Sequence, residues 1–184
     1  MGSQTDQRSR FESIWNDHRL QVLAYCLRRA PGSTGEDACA ETFLVVWRRL
    51  DEIPPPPRTL LSLYGIARKV LANQARSFHR RERLNEKLAN LGVSPPVDPA
   101  HLVVQRAEDR QIADAVRRLK STDMEIVRLD AWEDLTREEI AEVMGMTRAA
   151  VDQRIHRAYE RLSRALAPLI RPIHSPPVAE EGVT

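Results

Sequence analysis

The stretch TREEIAEVMGMTRAAVDQRIHRAYERL, residues 136–162, limits what this chain can fold into more than any other segment. Thr136 followed three positions later by Glu139 is a capping box, which fixes the start of a helix. Ile140, Ala141 and Met144 then fall on one face at helical spacing, and Ala141 is small where two helices must cross closely. Gly145 follows where a turn calls for positive φ, and Met146 fills the space under that turn. Thr147 caps a second helix whose buried side is Val151, Ile155, Ala158, Tyr159 and Leu162. Its other side carries Arg148, Gln153, Arg154, His156 and Arg157. A helical hairpin with merely solvated arginines has part of this pattern. Both caps, the small residue, the glycine, the plug and the basic face in one register describe a helix-turn-helix. The start of such a second helix reaches base edges in the major groove, and arginines farther along meet phosphate.

The charge distribution asks for nucleic acid a second time. The formal net charge is only +2, but it is segregated. Residues 58–87 hold eight Lys/Arg against two Asp/Glu, and residues 145–171 hold six against two. The intervening 108–142 holds eleven acidic residues against six basic. Two basic patches, each at the end of a helical unit, imply two separate contacts with a polyanion.

The rest of the chain reads as helices punctuated by proline, with no strand pattern and no internal repeat. Residues 1–9 are polar and are expected to be disordered. From Arg10 to Arg29, Phe11, Ile14, Trp15, His18, Val22, Tyr25 and Cys26 line one side of an amphipathic helix. Thr34 is placed to cap a second helix, about Glu36 to Leu50, which buries Phe43, Val46, Trp47 and Leu50 in part and shows Glu41, Arg48 and Arg49. Pro54, Pro55, Pro56 and Pro57 then form a stiff extended strut. A long helix is expected from about Leu60 to Leu91, apolar on one side at first and basic in its second half. Pro95, Pro96 and Pro99 mark a linker over 92–107. Helices over Glu108–Leu119 and Asp123–Trp132 complete a second unit with the helix-turn-helix, and the tail 169–184 is proline-rich and expected to be disordered. The expected fold is all-α: two small helical domains, 10–91 and 108–168, joined by a flexible linker.

Several function classes find no residues. No apolar run is long enough to span a bilayer, and MGSQTDQRSR has no apolar stretch behind its charges, so no signal peptide is evident. A cytoplasmic protein without membrane insertion is the expectation. Cys26 and Cys39 are too few and too isolated for a disulfide framework or a metal site and read as core thiols. No metal-ligand cluster, phosphate loop or nucleophile–base arrangement is present, so no enzyme, catalytic residue, metal or cofactor is expected.

Taken together, the units resemble the extracytoplasmic-function (ECF) branch of the bacterial sigma-70 family. EDACAETFLVVWRRLD is similar to the region 2 helix that docks on the polymerase clamp; SLYGIARKVLANQARSFHRR to the next helix, which opens and reads the −10 element; and LTREEIAEVMGMTRAAVDQRIHRAYERL to region 4, which reads the −35 element. The resemblance implies that Asp37, Glu41, Phe43, Trp47 and Arg48 serve core-polymerase docking, with region 4 meeting the flap. It implies that Arg58, Arg68, Lys69, Asn73, Arg76, Arg80 and Arg81 engage the −10 element, while the proline strut stands where relatives capture a flipped base. It implies that Thr147, Arg148, Ala149, Gln153, Arg154 and Arg157 engage the −35 element, Arg148 and Gln153 at base edges, Arg154 and Arg157 at phosphate. The chain departs from the family pattern at Ala40, Ser62, Lys69, Asn73, Ala150 and Asp152. The implied partners are core RNA polymerase, promoter DNA and an anti-sigma factor.

Reach agrees with a bipartite reader. Sixteen linker residues span at most roughly 55 Å, and each domain adds a radius of about 12 Å. Elements two helical turns apart lie about 70 Å apart. The competing reading is a stand-alone helix-turn-helix repressor or activator, which leaves the N-terminal motifs unexplained.

Overall fold

The structure is a computed structural model, and it describes residues 2–89, 115 and 118–167. Every regular element among the described residues is helical: α1 (Gly2–Arg29), α2 (Ser33–Arg48), a 3-10 turn (Leu50–Glu52), α3 (Thr59–Ala89), α4 (Ser121–Trp132), α5 (Arg137–Met144) and α6 (Arg148–Leu166). The linker 92–107, most of the helix expected over 108–119 and the tail 169–184 lie outside the described residues.

Helix boundaries follow local chemistry, with two differences from expectation. Helix α1 begins at Gly2 rather than near Arg10. Nothing between Gly2 and Arg10 breaks a helix, and Arg8 Nε donates to Glu12 at 2.9 Å one turn on. Thr34 is not the cap of α2; Gly32 is, its carbonyl accepting from Gly35 N at 3.0 Å. The reason is the tight crossing between α1 and α2. A Cβ on Gly35 would lie 2.1 Å from the Ala30 carbonyl oxygen, so only glycine lets the second helix start this close to the first. In the helix-turn-helix the caps fall where the sequence puts them. Thr136 and Glu139 form a complete capping box, Gly145 is left-handed at φ 64°, and Thr147 accepts from Ala150 N.

The N-terminal half is a three-helix bundle around Val22, Tyr25, Cys26, Phe43, Val46, Leu63 and Ala67, all essentially buried. Tyr25 and Tyr64 stack with ring centroids 4.8 Å apart. The C-terminal half packs Ile126, Leu129, Ile140, Val151 and Ile155. Full burial of such side chains contributes about 1.5–3 kcal/mol each. Both sets belong to one continuous buried cluster, because α5 packs on α3 and carries the apolar contact across the halves. A smaller cluster, Ala115, Leu119, Val127, Ala158 and Leu162, lies between α4 and α6. Tyr159 departs from its expected place in the core: it is 40% exposed, and its hydroxyl donates to Asp130.

Candidate nucleic-acid interface and docking face

Three surfaces carry the candidate residues. On the first, Thr147, Arg148, Ala149, Gln153 and Arg157 stand exposed along the N-terminal half of α6. Buried Val151, Ile155, Ala158 and Leu162 anchor the opposite side, so the basic face must point outward. Arg148 is held by Glu138 at 2.8 Å and faces Asp152 at 3.6 Å. Arg157 is exposed, and its Nε donates to the Gln153 carbonyl at 3.0 Å. Arg154 is different. Its Nη1 donates to Asp123 Oδ1 at 2.7 Å, and Asp123 is among the few buried charged residues. That pair ties α6 to the first turn of α4.

The second surface is built from the proline loop and α3. Lys69, Asn73, Arg76 and Arg80 recur at helical spacing on one exposed face, with Arg81 beside them. Arg76 donates to Asn73, and Arg80 to Ser77 at 3.0 Å, so these cations are aligned along the helix rather than splayed. Arg68 is half-buried and lies apart from this row; its Nε has no hydrogen-bond partner. The loop is pinned at three points. Thr59 Oγ1 donates to the Pro54 carbonyl at 2.9 Å, Arg58 N to Pro55 at 3.1 Å, and Arg10 Nη2 to Ile53 at 2.6 Å. The Pro56–Pro57 bond is cis. Between loop and α3 lies a cleft of about 320 Å³, with Arg49, Ile53, Ser62, Ile66 and Lys69 among its walls. Its far wall is Glu142, Val143 and Gly145 from the helix-turn-helix. A second cavity, about 490 Å³, lies on the other side of the loop against Ser13, Asp17 and His18 of α1.

The third surface is apolar. Phe11 and Trp15 of α1 meet Phe43 and Trp47 of α2 edge-on, with centroids 5.1 Å apart for Phe11–Trp47 and 4.6 Å for Trp15–Phe43. Phe43 is buried; Trp47 is 47% and neighbouring Leu44 56% exposed. Asp37, Glu41 and Arg48 stand exposed on the same helix. Gln74 of α3 donates to Glu41 at 3.0 Å, linking this rim to the basic helix.

Most of the sequence-derived candidates therefore gather on three faces; Arg68 lies apart, and Arg154, Arg58 and Arg148 are engaged in contacts within the chain. Sequence reasoning passed over Arg10, Leu44 and Ile53. Leu44 had a local signal, an apolar residue off the buried stripe of α2. Arg10 and Ile53 are 43 residues apart, and no periodicity announces their bond. Among the described residues no group of His, Cys, Asp and Glu could hold a metal ion. No helix there is long and apolar enough to cross a membrane. Burial pushes the Cys26 thiol up to about 12 and raises Cys39, as expected of core thiols.

Comparison with known proteins bears on the family of the chain. Residues 109–162 match the family described as "Sigma-70, region 4". The chain is 30% identical over 161 residues to the RNA polymerase sigma factor CarQ of Myxococcus xanthus, covering 86% of this chain and 90% of that one. It is 29% identical over 168 residues to the ECF RNA polymerase sigma factor BldN of Streptomyces coelicolor, covering 89% and 63%. It spans only 32% of the length of another curated relative. Among solved structures, the sigma factor RpoE in complex with the anti-sigma factor NepR, from Bartonella quintana, has the same fold. Its TM-score is 0.61 at 18% identity, over 85% of this chain and 96% of that one.

Proposed function

This chain belongs to the extracytoplasmic-function branch of the sigma-70 family, and from that premise we propose that it directs core RNA polymerase to a dedicated set of promoters. The observation that carries the proposal is the pair of exposed basic faces, on α3 and on α6; α6 is backed by buried Val151, Ile155, Ala158 and Leu162, and the first half of α3 by buried Leu63, Tyr64, Ala67 and Val70. Aligned cations on two helices suit two separated stretches of nucleic acid, and their affinity is strong, non-specific and salt-dependent. Sequence choice then comes from a few base contacts. Arg148 is suited to guanine and Gln153 to adenine in the major groove of the −35 element. Arg157 holds phosphate, whereas Arg154 positions α6 through Asp123.

On α3, Lys69, Asn73, Arg76, Arg80 and Arg81 track the opened −10 strand. The cleft between loop and α3 is the receiving site for an unstacked base. Unstacking costs a few kcal/mol. A loop already pinned at Ile53, Pro54 and Pro55 loses little further freedom on accepting the base. The aromatic face of α1 and α2, rimmed by Asp37, Glu41 and Arg48, docks on the polymerase clamp. Such a surface joins large apolar anchors to a polar edge, as protein interfaces do. Residues 10–91 and 108–168 form the two functional units, acting in the cytoplasm where polymerase works. An anti-sigma factor keeps them off polymerase when they are not needed.

Co-elution with bacterial core polymerase and run-off transcription from a library of genomic fragments test this. Co-elution with fragment-dependent start sites is the expected result. Binding to duplex DNA without any binding to core would sink the proposal.

A further inference from the structure

A cleft of about 360 Å³ lies between α1, α3 and α4, with Met144 at the end of α5 on its edge. Part of its wall is apolar: Leu71, Ala72 and Ala75 of α3 and Met124 of α4. The rest is cationic, with Arg29, Arg68 and Arg128 against one carboxylate, Glu125.

The charges of this cleft do not balance. Arg28 and Arg29 are matched by Glu125 and Glu133. Arg29 Nε lies 3.0 Å from both oxygens of Glu125, its Nη1 lies 2.9 Å from Glu133, and Arg28 also binds Glu133. Arg68 and Arg128 have no such match. Neither makes a hydrogen bond or an ion pair among the described residues, and the Nε of each is buried without an acceptor. Arg29 Nη2, on a side chain only 5% exposed, lies 3.0 Å from Glu125 Oε1 but forms no hydrogen bond there. Buried polar groups are normally hydrogen-bonded, so three such donors around one cleft call for a further acceptor. Four arginines against two glutamates leave two positive charges in excess. A phosphate group, at about −1.5 to −2 near neutral pH, matches that excess.

Two further features favour an anion. Burial lowers the Arg128 guanidinium from its ordinary value; Glu125 raises it and Arg29 lowers it again, so Arg128 is a cation both desolvated and repelled. Ser121 and Thr122, which also line the cleft, stand in the first turn of α4. That helix begins at Lys120 without a side-chain cap, so its first N–H groups and its dipole are available to negative charge.

The cleft is separate from the face proposed to track the −10 strand. Arg68, Leu71, Ala72 and Ala75 point about a third of a turn around α3 from Lys69, Asn73, Arg76 and Arg80. A strand lying along that row does not reach round to the buried nitrogens, whereas a small molecule fits the cleft. We propose that the cleft binds a small phosphorylated molecule with an apolar body: Arg68, Arg128 and the first turn of α4 take the phosphate, and Leu71, Ala75 and Met124 take the body. Binding here does not depend on the promoter-directing role.

Calorimetric titration of the full chain with phenyl phosphate, and separately with inorganic phosphate, tests the site. Phenyl phosphate is expected to bind with a Kd on the order of 0.1 mM, and inorganic phosphate about tenfold more weakly because it leaves the apolar wall uncovered. Arg68→Met and Arg128→Met should each weaken phenyl phosphate about tenfold or more. Arg19→Met, which removes an exposed charge on α1, should leave it unchanged. No binding to the folded wild type up to about 5 mM overturns the proposal. So does equal affinity for the two phosphates, or an equal loss in Arg19→Met. A degenerate single-stranded DNA pool is expected to bind Arg128→Met as it binds the wild type; a loss equal to that of phenyl phosphate would assign the cleft to nucleic acid and overturn the small-molecule site. A local readout covers variants that do not fold. Arg128 stands over the Trp132 ring, 5.5 Å from its centroid, so capture of the phosphate should change tryptophan emission in the wild type and not in Trp132→Phe. Binding without that change overturns the placement.

Discussion

Replacing Arg154 by alanine separates a positioning role from a DNA-contact role. Its Nη1 lies 2.7 Å from Asp123, whose side chain is 10% exposed, while Arg154 itself is 35% exposed. Removing one partner of a fully buried pair costs about 3–5 kcal/mol, because the other charge is left uncompensated. Solvent reaches a third of the Arg154 side chain, which screens the pair and reduces the expected cost to about 1.5–2.5 kcal/mol. For a chain of this length that lowers the melting temperature by about 3–10 °C. Thermal unfolding followed by circular dichroism measures it. The salt dependence of duplex affinity, taken well below the transition, supplies the second readout. Each phosphate contact contributes about 0.9 to the slope of log affinity against log salt. Arg154→Ala should melt early and keep its slope, and Arg157→Ala should keep its melting temperature and lose about 0.9 of slope. Asp123→Asn combined with Arg154→Ala should recover part of the lost stability, since it removes the stranded charge. An Arg154→Ala protein with unchanged melting and a reduced slope would refute the reasoning.

Thr136→Ala removes the half of the capping box in which the Thr136 hydroxyl accepts from Glu139 N at 3.3 Å, while Glu139 Oε2 still accepts from Thr136 N at 2.8 Å, and should cost about 1 kcal/mol in a melt, with Thr136→Ser restoring most of it. Stability should fall as pH rises from about 9 towards 12. Burial pushes Cys26 from its ordinary 9.0 and Tyr64 from 10.0 up to about 12 each, so the unfolded chain releases these protons first and each step favours unfolding. Denaturant midpoints that stay level across that window would contradict the burial of both groups. Glu138→Gln releases Arg148 from an exposed pair worth about 0.5–1 kcal/mol and should tighten −35 duplex binding about two- to fivefold in fluorescence anisotropy.

The helix-turn-helix was legible because its rules are local. A cap, a staple-sized apolar residue and a left-handed glycine act within one or two turns, and Thr136, Gly145 and Thr147 do what their spacing says. The same holds for the helical periods of α1 to α3. What the sequence did not disclose is mostly pairing at long range. Arg29 meets Glu125 and Glu133 about a hundred residues away, and neither acid stands at a position that marks a partner. Arg154 looks like its basic neighbours until α4 places Asp123 beneath it. Gly35 overruled Thr34 as the helix start because the close approach of Ala30 is a tertiary fact with no local trace. Tyr159 fits the apolar stripe by period, but Asp130 offers its hydroxyl a partner at the rim.

The single buried cluster running from Ile14 to Ile155 bears on how such a chain can be recombined. A graft that exchanged only the segment after the linker would bring in a foreign reading helix together with a foreign inner surface. The hybrid would keep its new −35 preference and lose the fit of Val143 against Gly65 and of the two glutamates around Arg29. The reading helix and the inner packing surface are thus inherited on one piece of chain, so shuffling halves between relatives would yield proteins whose two halves no longer fit each other.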